Sequence, residues 1–255
     1  MRTIATIIVL AFSRLALAQI YEGSPCKCGD SPSTTSTGFP RIIAWGGYVG
    51  EYETNASSCL YAGKYRGKKY PTDPPADDLQ LEEWETGREA HANHTCRYSA
   101  HRIADRDTKT SWCEGAAGIG ASEVVGRIVG SDPPSHIEVF AGFGKAKSLH
   151  AKNSRPRKVR IHIVVAKEDI ATQVGMYYQQ LEKVAKVEVE LEDEYGFQRI
   201  DLPSLKADPM YKAWAVFLEI LSVYPGSKYQ DTCIAEIRIP ADLSKDCNSN
   251  TTVCL

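Results

Sequence analysis

The sequence predicts an all-β protein in which antiparallel sheets pack as a sandwich or jelly roll. Several segments alternate between apolar and polar residues, as a strand does when one of its faces lies in a core. Glycine and proline turn signals separate these segments, and residues 214–223 form a longer apolar run typical of a more buried strand. The alternating segments lie at 137–143, 159–165, 187–191 and 233–239.

One segment between these strands has a different period. Because residues three or four apart share one face of a helix, its spacing predicts a helix over 168–185, inserted between strands. Gly175 lies within this segment and is unfavourable for a helix. The apolar residues at helical spacing are Ile170, Val174, Tyr177, Leu181 and Val184.

Residues 1–18 have the pattern of a secretory signal peptide. Arg2 supplies a positive charge, residues 4–12 are almost entirely apolar, and Ala16-Leu17-Ala18 fits the cleavage rule. We therefore expect a secreted protein, extracellular or periplasmic. No later segment is apolar for long enough to cross a membrane. In such an oxidising compartment, the eight cysteines are candidates for disulfides.

Length and composition leave room for one large domain or two small ones. The chain has 255 residues, 43% of them hydrophobic and 24% charged, which is enough to bury a core. The formal net charge of −2 excludes a dedicated nucleic-acid-binding domain, which would be strongly basic. We expect an irregular, disulfide-rich extension at 19–55, a second irregular stretch at 61–95 and a tail at 241–255.

Two clusters of side chains could bind a metal ion. His91, His94, Cys96 and His101 are ligands of the kind that zinc prefers, but in a secreted chain an oxidised Cys96 with exposed histidines is the favoured alternative. The acidic turn at 104–110 offers carboxylate and hydroxyl oxygens, which calcium prefers. The alternative is a plain Asx-type turn whose oxygens accept backbone N–H groups.

The stretch 145–160 contains seven Lys and Arg residues and no acidic residue. It could face an anionic glycan or a phosphate. The alternative is the solvated side of two strands, balanced by the acidic residues at 182–194. The chain has no dinucleotide fingerprint, no Gly-x-Ser-x-Gly elbow and no His-Glu-x-x-His helix, so its motifs do not indicate an enzyme.

Three blocks of sequence together resemble a known family. They read YSAHRIADRDTKTSWCEG at 98–115, AGFGK at 141–145 leading to NSRPRKV at 153–159, and VYPGSKYQDTCIAEI at 223–237. They look like the NADase-type glycan-binding domain, also called the NAD glycohydrolase translocation domain. This domain is a variant of the discoidin (coagulation factor type C) galactose-binding jelly roll. Residues 56–60 look like its opening strand, and the blocks follow the family's order. The resemblance therefore implies one sandwich at 56–240, with its core at 96–240 and an insertion at 61–95.

The resemblance implies a β-sandwich that binds glycans on loops at one end. It does not imply NAD hydrolysis, because the NAD-cleaving activity of the namesake toxins resides in a separate catalytic domain. It implies a Cys113–Cys233 disulfide, and six further cysteines whose fifteen pairings stay open. Arg106 departs from the glycine that related folds usually have there. The implied ligands of a structural calcium ion are Asp105, Asp107, Thr110 and Glu236.

Residues in the family-like segments are the predicted glycan contacts. Sugars require an aromatic face for their C–H surface and fixed hydrogen-bonding groups for their hydroxyls. The alternative for each residue is maintenance of the fold, as in the Pro225-Gly226 turn or a cap formed by Asn153. The predicted contacts are Phe143, Lys145, Asn153, Arg155, Tyr224, Lys228 and Tyr229.

Three hypotheses for the function remain at this point. The first is a secreted, non-enzymatic carbohydrate-binding protein for recognition or adhesion, whose partner is a glycan or glycoconjugate, or a host or cell-surface protein. The second is a secreted hydrolase whose site is built from the insertions, with His91, His94 or Glu114 involved. The third is a disulfide-rich protein-interaction domain without affinity for sugars.

Overall fold

The computed structural model describes residues 42–45, 54–60, 62, 80–172 and 175–240. The expected signal peptide, most of the expected N-terminal extension and the expected tail lie outside these residues, as do four of the eight cysteines. None of the helices in the described ranges is long and apolar enough to cross a membrane.

The described chain forms two antiparallel sheets, which confirms the predicted all-β sandwich. Strand order is β1-β7-β6-β9-β4-β2 in the six-stranded sheet and β3-β10-β5-β8 in the four-stranded sheet. The strands are β1 (Ile42–Trp45), β2 (Thr54–Ala56), β3 (Trp112–Cys113), β4 (Val124–Gly130), β5 (His136–Ala141), β6 (Arg155–Thr172), β7 (Gly175–Glu190), β8 (Phe197–Asp201), β9 (Ala213–Tyr224) and β10 (Cys233–Arg238). Two α-helices, α1 (Leu81–Thr95) and α2 (Lys147–Lys152), and a 3₁₀ helix (Ala100–Ile103) complete the described elements.

The alternating residues form the core between the sheets. On β6 the side chains of Val159, Ile161 and Ile163 are fully buried, and every second residue of β9 from Trp214 to Ile220 faces the same cluster. The four-stranded sheet contributes apolar residues from β5 and β10 to this cluster. Trp112 is also fully buried, as expected of a large core aromatic, and its indole N–H donates to the Ser58 carbonyl at 2.9 Å.

The predicted helix at 168–185 is wrong. These residues belong to β6 and β7, which form a long antiparallel hairpin in which Ile170 lies opposite Tyr177. Gly175 begins β7, where the chain has reversed direction, and β7 gains a second neighbour in β1. Cross-strand pairing on both sides of β7 therefore overrides the helical spacing, which is a purely local signal.

The two regions that were expected to be irregular contain regular elements. Within 61–95 the structure has helix α1, whose first turn carries Glu82 and Glu83 at the positive end of the helix dipole. Within 19–55 the structure has β1 and the start of β2. Both strands are short and lie at the edges of the six-stranded sheet. β1 pairs with β7 and β2 pairs with β4, and both partners are far away in the sequence.

The sheet topology gathers four loops into a row at one end of the sandwich. Four adjacent strands of one sheet, in the order β7-β6-β9-β4, match four adjacent strands of the other, in the order β8-β5-β10-β3. At this end, the chain connects β7 with β8, β5 with β6, β9 with β10 and β3 with β4. Each connection between the sheets at this end therefore lies beside the next. The row consists of the β7–β8 loop (191–196), the β5–β6 loop (142–154, containing α2), the β9–β10 loop (225–232) and the β3–β4 loop (114–123).

The predicted disulfide between Cys113 and Cys233 is confirmed, and it joins the base of two of these loops. The two residues are paired across β3 and β10 and are 120 positions apart in the chain. In the chain-entropy model, closing a loop of this length stabilises the fold by about 5 kcal/mol. All four described cysteines are disulfide-bonded, as expected for an oxidising compartment.

Candidate functional site

Arg155 joins the first two loops of the row. It begins β6, its side chain is buried, and its guanidinium forms a bidentate pair with Asp193 in the β7–β8 loop, with N–O distances of 2.6 and 2.7 Å. Its third nitrogen, Nη1, donates to the carbonyls of His150 and Asn153, at 3.3 and 2.9 Å. These hydrogen bonds hold the pKa of the Asp193 carboxyl below its ordinary value.

Gly142 makes room for this arrangement. Its φ of 101° lies in the region that favours glycine, and an added Cβ would come within 2.7 Å of the side chains of both His150 and Arg155. The buried His150 ring forms a hydrogen bond from Nε2 to the Ala141 carbonyl at 2.9 Å, so Nε2 carries the proton. Burial lowers the pKa of this imidazole below its ordinary value.

The β5–β6 and β9–β10 loops are joined mainly through backbone groups. The carbonyl of Lys152 accepts the amides of Lys228 and Tyr229, at 3.1 and 2.8 Å. The amide of Gly226 donates to Ser154 Oγ at 3.1 Å, and a Cβ on this glycine would lie 2.5 Å from the Lys152 carbonyl oxygen. The Pro225-Gly226 turn is thus required for the two loops to approach each other.

A buried carboxylate joins the last two loops. Glu114 is fully buried, and its oxygens accept the amides of Thr232 and Ala116, at 3.0 and 2.7 Å. Thr232 also donates from Oγ1 to the Ile119 carbonyl at 2.8 Å. Burial raises the pKa of the Glu114 carboxyl. With both oxygens held by backbone amides, Glu114 fixes the shape of the loop and is not presented to solvent as a catalytic acid.

Two tyrosines and several lysines form the exposed surface of the row. Tyr229 is 40% exposed on the β9–β10 loop, and Lys228 Nζ lies 5.1 Å from the centre of its ring. Tyr195 on the β7–β8 loop is also 40% exposed, while its hydroxyl donates to the Gly144 carbonyl at 2.6 Å. Both rings therefore stand on fixed backbones with part of their surface open to a ligand.

The structure places the seven predicted contacts at one end of the sandwich but in three different environments. Lys145, Lys228 and Tyr229 are exposed there. Phe143 and Tyr224 are half-buried: the Phe143 ring packs edge-on against Tyr98, and the Tyr224 hydroxyl donates to the Leu191 carbonyl at 2.9 Å. The remaining two, Asn153 and Arg155, are buried.

The interpretation of Asn153 and Arg155 as direct glycan contacts is corrected by this geometry. The Asn153 amide donates to the Leu149 carbonyl at 2.8 Å and closes the end of α2, and every nitrogen of Arg155 is engaged within the loops. Both residues position the loops. Sequence reasoning missed Asp193 and Tyr195, whose only signal was their place in the segment that precedes β8.

The first predicted metal cluster is not assembled. Cys96 is disulfide-bonded, as expected for a cysteine that is oxidised rather than bound to zinc. His101 Nδ1 forms a hydrogen bond with Ser99 Oγ at 2.7 Å. Across residues 80–172 and 175–240 and the shorter described segments, no three His, Cys, Asp or Glu side chains are grouped so that they could hold a metal ion.

The acidic turn at 104–110 has the contacts of an Asx-type turn. Asp105 accepts the Asp107 amide at 3.0 Å and the Thr110 hydroxyl at 2.8 Å, and it pairs with Arg102 at 3.2 Å. Arg106 has a φ of 61°, in the left-handed region that glycine favours. The Cβ of an arginine makes this backbone conformation energetically unfavourable.

Three of the four predicted calcium ligands, Asp105, Asp107 and Thr110, form hydrogen bonds within the turn. The Asp107 carboxylate accepts the Lys109 amide at 2.9 Å, and Glu236 is buried within β10. A guanidinium already supplies positive charge to the Asp105 carboxylate. The turn therefore satisfies its own carboxylates, which favours the plain Asx-type turn, and chelation tests the calcium ion that the resemblance implies.

Lowering the pH should destabilise the fold, because the pKa of the buried His150 is lower in the folded state than in the unfolded chain. Above pH of about 6.5 the imidazole is neutral in both the folded and unfolded states, so its lowered pKa has no effect on stability. Below that pH the unfolded chain binds a proton that the buried ring does not, so the free energy of unfolding falls as pH drops toward the folded pKa. His162 contributes in the same direction, because burial also lowers its pKa.

Denaturant unfolding between about pH 7.5 and about pH 5 measures this effect. His150→Gln can keep a donor near the Ala141 carbonyl without titrating, and we expect it to flatten the pH dependence. His136→Gln, at the start of β5 and the opposite end of the sandwich, is the matched control for removing an imidazole outside the loop row. Parallel curves for the wild type and His150→Gln would contradict the argument.

Chelation tests the acidic turn. Because the turn satisfies its own carboxylates, we expect EDTA to leave Tm unchanged and added calcium not to raise it. A bound native-state ion would stabilise the fold by mass action. A Tm that falls in EDTA and recovers with calcium would therefore overturn this expectation and establish the calcium site.

Comparisons with known proteins identify the family. The model of the NAD glycohydrolase translocation F5/8 type C domain matches residues 77–240. A family 32 carbohydrate-binding module from C. perfringens NanJ, solved in complex with galactose, is 12% identical with a TM-score of 0.39, over 78% of this chain and 97% of that chain. No curated protein sequence matches at a significant level.

Two larger enzymes are also similar to this chain over part of their length. One is the arabinofuranosyltransferase AftD from Mycobacteria, at 14% identity and a TM-score of 0.37, over 83% of this chain and 13% of that chain. The other is a Ruminococcus gnavus fucosidase solved with fucose, at 8% identity and a TM-score of 0.29, over 74% of this chain and 24% of that chain. With its two-sheet sandwich, its confirmed disulfide and a family match over most of its length, the chain belongs to the NAD glycohydrolase translocation F5/8 type C domain family.

Proposed function

We propose that this protein is a secreted, non-enzymatic glycan-binding protein that acts in recognition or adhesion. The observation that carries the proposal is the exposed ring of Tyr229, held on a fixed backbone beside Lys228 in the row of loops. An aromatic face accepts the C–H surface of a sugar, and neighbouring polar groups bind its hydroxyls. Membership of an F5/8 type C family supports the same proposal.

The rigidity of the row supports a binding role. Tyr229 is joined to the β5–β6 loop through the Lys152 carbonyl, and that loop is joined through Arg155 to the β7–β8 loop. Because the loops are already ordered, little conformational entropy is lost when a ligand binds. A site of this kind can bind a weakly interacting ligand such as a sugar without rearrangement.

The structure offers less support for a hydrolase. Of the residues named in that hypothesis, Glu114 is buried with both oxygens bonded to backbone amides, and His91 and His94 lie on α1 rather than on the row of loops. Secretion is supported by the signal-peptide pattern at 1–18 and by the oxidised state of the described cysteines.

A glycan array with purified protein tests the proposal. We expect Tyr229→Ala to weaken binding to every glycan that the wild type binds, by about three- to tenfold, the size expected for losing one aromatic contact. Tyr229→Phe keeps the ring and should retain most of the binding.

The folding of each variant is checked by its Tm, which should stay near that of the wild type because the Tyr229 side chain is largely on the surface. The absence of binding to any glycan by the folded wild type would refute the proposal. Capture of one protein partner under those conditions would instead support the hypothesis of a protein-interaction domain.

A further inference from the structure

The basic stretch at 145–160 divides into two parts in the structure. Its strand part is neutralised: Arg157 pairs with Glu190 at 2.8 Å, and Arg160 pairs with Glu188 and Glu219, at 2.7 and 3.1 Å. Lys158 pairs with Glu188 as well, and these two cations lower the pKa of Glu188 to about 2. The strand residues thus have partners across the sheet and contribute little free positive charge.

The loop part of the stretch keeps its charge. Lys145, Lys147 and Lys152 lie in or beside α2 on the β5–β6 loop, and Lys228 lies on the β9–β10 loop next to it. All four lysines are exposed. Within the part of the chain that the structure describes, none of their ammonium groups is in an ion pair, whereas Arg155 at the start of β6 is paired with Asp193.

Acidic residues are few in these two central loops. Segments 142–154 and 225–232 contain four lysines and one acidic residue, Asp231, apart from the paired Arg155. The exposed Glu192 and Glu194 lie on the β7–β8 loop at the edge of the row. The middle of the row is therefore positive, and this is also where Tyr229 is exposed.

Lys152 and Lys228 are adjacent through their backbones. The Lys152 carbonyl accepts the Lys228 amide at 3.1 Å, and the Tyr229 amide at 2.8 Å. Two ammonium groups therefore start from neighbouring backbone positions beside one exposed aromatic ring. Ammonium groups bind carboxylate and sulfate oxygens through charge-assisted hydrogen bonds, which are stronger than those to neutral hydroxyls.

The geometry points to an anionic glycan as the ligand, with its negative group bound by Lys152 and Lys228 and its ring against Tyr229. This inference rests on the proposed glycan-binding function and adds the class of sugar. A carboxylate, as in a sialic acid or uronic acid, and a sulfate ester present the same anionic oxygens to the two lysines. Neutral sugars can contact Tyr229 but have no group that uses the two charges.

The test compares lactose, 3′-sialyllactose and 6′-sulfolactose on one array and by titration calorimetry. We expect the anionic sugars to bind about tenfold more tightly than lactose, the size expected for two exposed charge pairs, and the difference to shrink as salt is raised. The Lys152→Gln/Lys228→Gln double variant should lose this preference and keep the affinity for lactose. A preference for only one of the two anionic sugars identifies which negative group the site takes.

The matched control is the Lys206→Gln/Lys212→Gln double variant. Both of its positions are exposed lysines on the segment between β8 and β9, at the opposite end of the sandwich, and it should bind as the wild type does. Equal affinity for neutral and anionic sugars, or an undiminished preference in the Lys152/Lys228 variant, would overturn the inference and leave the proposed function standing. Failure to bind any glycan on the array would overturn both.

Discussion

The buried guanidinium of Arg155 is the interaction on which the candidate site depends. It lies at the start of β6 and reaches two loops at once, through the Asp193 carboxylate and through two carbonyls at the end of α2. Arginine is suited to this position because its planar fork can form a bidentate pair and still donate elsewhere. A shorter or uncharged side chain would leave the Asp193 carboxylate and both carbonyls without this donor, and the hydrogen bond from Tyr195 to the Gly144 carbonyl would remain as a link between the two loops.

Other features of the loop row also fix its shape. Gly142 must lack a Cβ because His150 and Arg155 occupy the space beside it, and Gly226 must lack one because the Lys152 carbonyl approaches its backbone. The Cys113–Cys233 disulfide fixes the strands beneath the β3–β4 and β9–β10 loops. Polar groups that would bind a ligand if exposed are thus used internally to fix loop shape, which leaves the exposed lysines and tyrosines for the ligand contacts that we propose.

Sequence patterns predicted the parts of the fold whose signals are local, and the resemblance predicted the sandwich and the Cys113–Cys233 disulfide. Neither predicted α1, β1 or the long hairpin of β6 and β7. Alternation identified the strands around Val139 and Ile161, because the period of two directly reflects which face is buried. The helical spacing at 168–185 gave a wrong prediction, because pairing between β6 and β7, and between β7 and β1, decides the structure there. The sequence could not show that Arg155 and Asn153 point inward, because an arginine at the start of a strand has the same local pattern in either orientation. Asp193 became visible as its partner only when the topology brought the two loops together.

The central claim is that ligand binds the two middle loops of the row, and chemical-shift mapping of ¹⁵N-labelled protein tests it most directly. With lactose or 3′-sialyllactose added, the account predicts the largest amide shifts in segments 145–153 and 225–231. It predicts none in the 202–212 segment at the opposite end of the sandwich. Saturable shifts concentrated in 202–212, or on the outer face of β6 around His162, with the middle loops unchanged, would contradict it.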